Sequence, residues 1–119
     1  MARSAPSIDS YGGGGFRLSG DWHQGSLLIV GDEARAWPVR ALAEVSRETL
    51  APIFEAGRAE VEFLLLGVGA VNAQPARAVR EGLLAAGIGL EFMDTPAAVR
   101  LYNVLTSEGR RLAAALIAI

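Results

Sequence analysis

Val61-Glu62-Phe63-Leu64-Leu65-Leu66-Gly67-Val68-Gly69-Ala70 joins an apolar run to a glycine turn, and the other elements can be placed around it. A short apolar run bounded by turn residues is typical of a strand that is buried on both faces of a sheet. We therefore predict a strand over Val61 to Leu66, a tight turn at the glycines and a helix from Pro75. In open α/β sheets, ligands usually bind at this carboxyl end of the strands, where helix N-termini present backbone N–H groups.

Further strand and helix signals follow this stretch. One helix is delimited by Pro75 in its first turn and by Gly87 after its last apolar position, and Thr95 is a candidate N-cap for the next helix. The tail from Leu112 to Ile119 is predicted to be a strand beside Val61 to Leu66, because two βα units otherwise leave one edge of the parallel sheet uncovered. The predicted elements are a helix over 75–86, a strand over 88–93, a helix over 96–106 and a strand over 112–119.

The N-terminal part is predicted to be mostly extended. The glycine run over 12–15 suits a bend between extended segments, and the short apolar stretches beyond it indicate an antiparallel β-meander. Its strands are predicted at Phe16 to Leu18 and Ser26 to Val30, with a third extended piece over Ala34 to Pro38 in which Trp37 faces the core. Residues 1–7 are small and polar, which predicts a flexible arm.

A helix is predicted over Arg47 to Ala56, with Ser46 as its N-cap and Gly57 as its stop. Pro52 lies inside this pattern, and a proline inside a helix removes a hydrogen bond and costs about 3 kcal/mol. We therefore expect this helix to be short, kinked or late in starting. Together the elements predict a single α/β domain over residues 1–119, built as a three-layer sandwich around a mixed sheet.

The composition excludes several classes of chemistry. The 119 residues include no cysteine, and all 11 basic residues are arginine, which excludes thiol nucleophiles, thiolate metal sites and lysine Schiff bases. His23 is the only histidine, so no multi-histidine metal centre is predicted, and we expect no cofactor. The net charge of −2 argues against nucleic acid as a partner. No apolar run approaches the roughly 20 residues that span a bilayer, and no secretory signal is visible, so we expect a cytoplasmic protein.

Gly67-Val68-Gly69-Ala70-Val71-Asn72 begins like the dinucleotide fingerprint G-x-G-x-x-G, but Asn72 stands where the third glycine belongs. Asp94 follows the next strand, roughly where such folds place the acidic residue that binds ribose. Against this, the chain lacks a second mononucleotide-binding half. We favour the competing interpretation, a tight βα turn that lets the next helix pack closely on the sheet.

A second motif near the C-terminus is more specific. It reads Met93-Asp94-Thr95-Pro96-Ala97-Ala98-Val99-Arg100-Leu101-Tyr102-Asn103-Val104-Leu105, followed by Glu108-Gly109-Arg110-Arg111. With the Gly67-x-Gly69 turn, Ile8-x-Ser10-Tyr11-Gly12, Gly20 and Trp37, it resembles a family of small single-domain proteins of unknown function. That family includes a mitochondrial assembly factor for respiratory complex I and proteobacterial relatives. The similarity covers nearly the whole chain, but Val99 and Leu101 stand where the family commonly has Cys and Thr.

This resemblance implies a three-layer fold whose central mixed five-stranded sheet has its last strand antiparallel to the others. It implies no settled enzymatic activity, and for the eukaryotic relatives it implies protein–protein work in assembling a membrane respiratory complex. The leading hypothesis is a non-catalytic interaction or assembly protein whose partners are proteins, with respiratory-complex subunits among them. Two alternatives stay open: a small-molecule or nucleotide-binding enzyme that uses the Gly67/Asp94 end of the sheet, and a structural module that forms homo-oligomers.

The polar residues of the signature allow two interpretations. In one they are structural: Asp94 and Thr95 cap the last helix, Tyr102 packs with its hydroxyl bonded, and the arginines pair with nearby carboxylates. In the other, the acidic, amide and arginine side chains converge beside the glycine turn and bind an anionic ligand or a partner. The candidate binding residues are Gly67, Gly69, Asp94, Thr95, Arg100, Tyr102, Asn103, Glu108, Arg110 and Arg111.

Overall fold

The computed structural model describes residues 5–119, so the first four residues of the predicted flexible arm lie outside the described part. The described strands are β1 (Ile8–Gly12), β2 (Gly15–Leu18), β3 (Asp21–Gln24), β4 (Ser26–Val30), β5 (Glu33–Trp37), β6 (Phe63–Gly67), β7 (Gly89–Met93) and β8 (Leu112–Leu116). The described α-helices are α1 (Ala51–Glu60), α2 (Arg77–Ala85) and α3 (Thr95–Ser107).

The central sheet has five strands in the order β5-β4-β8-β6-β7. The terminal strand lies beside the apolar strand as predicted, because β8 runs parallel to β6 with Leu112 opposite Phe63 and Leu116 opposite Gly67. β7 runs parallel to β6 on its other side. The predicted α/β architecture with a mixed five-stranded sheet is therefore confirmed.

One detail of that sheet needs correction, because the antiparallel strand is β4 and not the last strand. β4 is antiparallel to both of its neighbours, β5 and β8, and the other four strands share one direction. The connections explain this. A two-residue turn joins β4 to β5 and forces them to be antiparallel, whereas a helix precedes each of β6, β7 and β8 and returns the chain to the same end of the sheet.

The two faces of the central sheet bury separate cores, which gives the three predicted layers. Leu64 and Leu66 of β6 pack into the core under α1 and α2, whereas Leu65 packs into the core under α3. β8 alternates in the same way, with its leucines and Ala114 on the α3 side and Ala113 and Ala115 on the other. Both strands are buried throughout except at Phe63, which explains their continuous apolar sequence.

A second, antiparallel sheet in the order β1-β2-β3 lies on the α3 side, where Phe16 and Leu18 of β2 join the core under that helix. The glycine run forms the bend predicted for it, because Gly12 pairs with Gly15 across the β1–β2 hairpin. The predicted meander is thus divided between two sheets, since β4 and β5 belong to the central one. Trp37 at the end of β5 is buried as expected, and its Nε1 donates a hydrogen bond of 2.7 Å to the Thr49 carbonyl oxygen.

Pro52 shifts the start of α1. The helix begins at Ala51 rather than at Arg47, which places Pro52 in the first turn, where its missing N–H is not needed. Ser46 therefore caps a preceding turn: its Oγ accepts from Thr49 N at 3.2 Å, and Thr49 Oγ1 accepts from Ser46 N at 2.8 Å. Gly57 interrupts the helix with φ of 72°, so the predicted stop is correct although a further turn follows.

The starts of α2 and α3 also differ from the predictions. Pro75 is buried ahead of α2, its carbonyl oxygen accepts a hydrogen bond of 3.1 Å from Arg80 Nε, and the helix begins at Arg77. The N-cap of α3 is Asp94 and not Thr95, because the Asp94 carboxylate accepts from Ala97 N at 2.9 Å. Thr95 is free of that role and turns into the core.

Candidate functional site

The glycine turn and the start of α3 meet at the carboxyl end of the central sheet, as predicted. Thr95 is fully buried there, and its Oγ1 donates to the Ile117 carbonyl oxygen at 2.8 Å and accepts from Gly69 N at 3.0 Å. The Thr95 N–H donates in turn to the Gly69 carbonyl oxygen at 2.8 Å. One side chain thus joins the turn after β6, the start of α3 and the end of β8.

The structure explains why both positions of this turn are occupied by glycine. A Cβ at Gly67 would lie 3.0 Å from Thr95 Oγ1 and 3.2 Å from Thr95 Cα, so close packing of α3 requires glycine. Gly69 has φ of 111°, which side-chain-bearing residues rarely adopt. Val68 N donates to the Met93 carbonyl oxygen and Gly69 N donates to Thr95, so neither N–H is available to a phosphate group. This geometry fits the tight βα turn and gives no support to nucleotide binding.

Asp94 and Arg100 do not form a polar pocket with each other. The Asp94 carboxylate is the N-cap of α3, which is its structural role. Arg100 is exposed on α3, and its guanidinium makes no hydrogen bond or ion pair with any residue of the range 5–119. Of the predicted site residues, only Gly67, Gly69, Asp94 and Thr95 therefore lie together at the carboxyl end of the central sheet.

Tyr102 and Asn103 hold the N-terminal segment against α3. The buried Tyr102 hydroxyl donates to the Pro6 carbonyl oxygen at 2.8 Å. The Asn103 amide makes two hydrogen bonds with the backbone of Ile8, accepting from its N–H at 2.9 Å and donating to its carbonyl oxygen at 2.8 Å. These contacts match the structural interpretation of the signature, since both side chains are satisfied within the fold.

The arginine pair lies at the opposite end of the sheet. Arg110 Nη2 is 3.7 Å from Glu62 Oε1, its guanidinium carbon is 5.6 Å from the centre of the Phe63 ring, and Arg111 Nη1 donates to the Ala59 carbonyl oxygen at 2.7 Å. Phe63 begins β6 and Gly67 ends it, so about 13 Å of strand separates the two groups. The expected convergence is wrong for Arg110, Arg111 and the exposed C-cap Glu108, because α3 carries its last residues back to the amino end of the strands.

Two recesses that the sequence did not reveal flank the strand β7. On the α3 side lies a cavity of about 510 Å³ and on the α2 side one of about 290 Å³. The first is lined by Glu62, Phe63, Gly89, Leu90, Glu91, Leu101, Leu105 and Arg110. The second is lined by Arg80, Leu84, Ile88, Gly89, Leu90 and Phe92. The alternation of apolar residues with Glu91 was the available signal, but it does not say which strand lies at an edge.

Over residues 5–119, no three His, Cys, Asp or Glu side chains are grouped so that they could hold a metal ion. None of the helices in that range has the length and apolar character needed to cross a membrane.

Known proteins are similar to this chain over nearly its full length. A family described as a protein of unknown function (DUF498/DUF598) matches residues 8–117. An uncharacterised protein of Rhodobacter capsulatus is 41% identical over 110 residues, which are 92% of this chain and 82% of that protein. A crystal structure of an outer membrane protein from Bartonella henselae has a TM-score of 0.90 and 30% identity, and covers 99% of this chain and 98% of its own.

Several similar proteins from vertebrates carry the name of an assembly factor. The NADH dehydrogenase [ubiquinone] 1 alpha subcomplex assembly factor 3 of Danio rerio is 34% identical over 116 residues, 98% of this chain. The match covers 66% of that relative, so this chain spans slightly less than two thirds of its length.

Proposed function

We propose, because the chain belongs to the DUF498/DUF598 family of proteins of unknown function, that it is a non-catalytic interaction protein that helps to assemble respiratory complex I. The observation that carries this proposal is the 34% identity to assembly factor 3 of Danio rerio over 98% of this chain. Its partners in this role are subunits or assembly intermediates of the respiratory NADH dehydrogenase, and its place of action is the cytoplasm.

The geometry of the signature residues supports a role for the outer surface rather than for an enclosed reaction site. The polar groups of Thr95, Tyr102 and Asn103 are hydrogen-bonded to the backbone of other segments, and Asp94 caps a helix. The glycine turn has its Val68 and Gly69 N–H groups bonded inside the protein. Groups used in this way stabilise the fold, which supports a structural role for these residues rather than a substrate-binding one.

Affinity capture tests the proposed function. The tagged chain is expressed at its native level, and the proteins that it enriches over the tag alone are quantified by mass spectrometry. We expect subunits of the respiratory NADH dehydrogenase among them. Recovery of no respiratory subunit and no other stable partner contradicts the proposal. A nucleotide that stabilises the chain by about 2.7 kcal/mol at 100 times its Kd would instead favour the ligand-binding alternative.

A further inference from the structure

The strand β7 is an edge of the central sheet, and no strand among residues 5–119 pairs with its outer side. Gly89 N donates to the Glu62 carbonyl oxygen at 3.1 Å, and the Met93 carbonyl oxygen accepts from Val68 N at 2.9 Å, so positions 89 and 93 face β6. Backbone groups along a strand point to alternate sides, so Leu90 and Phe92 direct their N–H and C=O groups outward. Such an edge is a template for one more strand.

Both faces of this edge have room for the side chains of an added strand. Leu84 on the α2 side is 78% exposed and, with Leu90 and Phe92, lines the cavity of about 290 Å³. Leu101 and Leu105 on the α3 side line the cavity of about 510 Å³. Since successive side chains of a strand point to opposite faces, an added strand would place alternate residues in the two recesses.

The charges differ between the two recesses. Glu91 projects on the α3 side in the middle of β7, is exposed and forms no ion pair within residues 5–119. Glu62 in the same recess is paired with Arg110 at 3.7 Å, so the two carboxylates face a single guanidinium. The recess therefore favours a cationic side chain whose apolar stem lies along the leucines. On the α2 side, Arg80 Nε is bonded to the Pro75 carbonyl oxygen, and the lining residues are otherwise apolar.

A second copy of the chain fits this edge poorly. Antiparallel pairing of two β7 strands bonds both outward-facing positions only when Leu90 of one copy lies opposite Phe92 of the other. That register sets Glu91 directly against Glu91 of the second copy, and like charges at opposite positions destabilise a sheet. The same carboxylate attracts a strand that has a cation at this position.

We propose that the outer edge of β7 binds an extended segment of a partner protein as a sixth strand of the central sheet. The segment places a lysine or arginine opposite Glu91, and apolar residues on either side of that cation pack against Leu84, Leu90 and Phe92. This inference rests on the proposed function, which supplies a protein partner, and it names the surface and the chemistry of the segment.

Two synthetic heptapeptides test the proposal without a known partner. Both have valine on either side of the central residue and threonine elsewhere, and the centre is arginine in one and glutamate in the other. Hydrogen exchange of the ¹⁵N-labelled chain is followed by NMR. The arginine peptide should slow exchange at Leu90 and Phe92 and leave Glu91 unchanged, because residue 91 already faces β6. Unchanged exchange of both outward amides at millimolar peptide, or protection at another strand, overturns the proposal.

Exchanging the charge tests the contact with Glu91. The wild-type chain should bind the arginine peptide about two- to fivefold more tightly than the glutamate peptide, and Glu91→Arg should reverse this order. Glu91 is exposed and unpaired, so this variant should fold normally. The same order of affinities in both chains overturns the assignment of a cation to this position. Protection without peptide that grows with chain concentration, together with a doubled mass, would make a second copy the occupant and also overturn it.

Two further variants connect the edge to the cellular partner. Leu84→Ser removes a 78% exposed apolar side chain from the α2 recess and should weaken peptide binding and reduce capture of the partner. Its control, Val71→Ser, removes an apolar side chain that is 79% exposed and lines neither recess. This control should leave peptide binding and partner capture unchanged. Leu90→Pro deletes an outward N–H, which an edge strand tolerates, and should weaken peptide binding about tenfold.

The outcomes separate the two proposals. If capture recovers no partner, the proposed function fails and the peptide measurements still decide the role of the edge. If Leu84→Ser and Leu90→Pro capture a partner as well as the wild-type chain does, the proposed function stands and the edge proposal is overturned.

Discussion

Replacing Thr95 by valine tests the junction at the carboxyl end of the sheet. Valine keeps the shape of threonine, so Thr95→Val removes the hydroxyl alone and leaves Gly69 N–H and the Ile117 carbonyl oxygen without this partner in a fully buried position. Each buried backbone group that loses its partner costs about 1–3 kcal/mol, so the free energy of unfolding should fall by about 2–6 kcal/mol. Domains are stable by about 5–15 kcal/mol, so this is a large fraction of the total.

Urea unfolding followed by circular dichroism measures the effect. Thr106→Val is the matched control, because Thr106 lies on the same helix and its Oγ1 donates at 2.7 Å to the Tyr102 carbonyl oxygen, one turn earlier in α3. We expect the control to cost less than about 1 kcal/mol, since no backbone N–H depends on that hydroxyl. Thr95→Ser keeps the hydroxyl and should lose about 1 kcal/mol for its methyl group. Equal losses in Thr95→Val and Thr106→Val would show that the backbone groups of Gly69 and Ile117 do not depend on the Thr95 hydroxyl.

Three further substitutions test other contacts by the same unfolding measurement. Gly67→Ala should cost about 1–3 kcal/mol, because its Cβ would meet Thr95 Cα at 3.2 Å; an unchanged midpoint would mean that the α3 packing relaxes easily. Asn103→Ala should cost about 1–2 kcal/mol and speed exchange of the Ile8 amide, whose N–H it leaves without the side-chain acceptor; unchanged exchange would contradict this. Arg110→Ala should cost less than about 1 kcal/mol, because its ion pair is half exposed, and a larger loss would be unexpected.

Local patterns predicted much of this fold. The apolar run of β6, the two glycines after it and the apolar tail of β8 are each recognisable because a strand buried on both faces must be apolar throughout. The residues that cap the helices were harder to predict. Asp94 and Thr95 are both good N-caps, and only the contact of Thr95 with the end of β8, 22 residues further on, decides which of them caps α3.

The functional surface was harder to predict, because it depends on the order of strands and the direction of helices. The motif that ends in Arg110 and Arg111 is continuous in sequence, but α3 spans the length of the strands and separates its two ends. The pairing of β8 with β6 was predicted, but no local pattern shows that β7 lies on the other side of β6 with its outer side unpaired. Glu91 was therefore outside the predicted site although it lies at the centre of that edge.

The amount of assembled respiratory NADH dehydrogenase in cells that lack this chain is the decisive measurement for the proposed assembly role. Native gel electrophoresis with an activity stain, calibrated against total subunit levels, gives that amount. We predict that the assembled complex falls severalfold while its subunits are still made, that the wild-type chain and Val71→Ser restore it, and that Leu84→Ser restores it less well. An assembled complex that stays at its normal level without the chain would show that the chain is not an assembly factor for it.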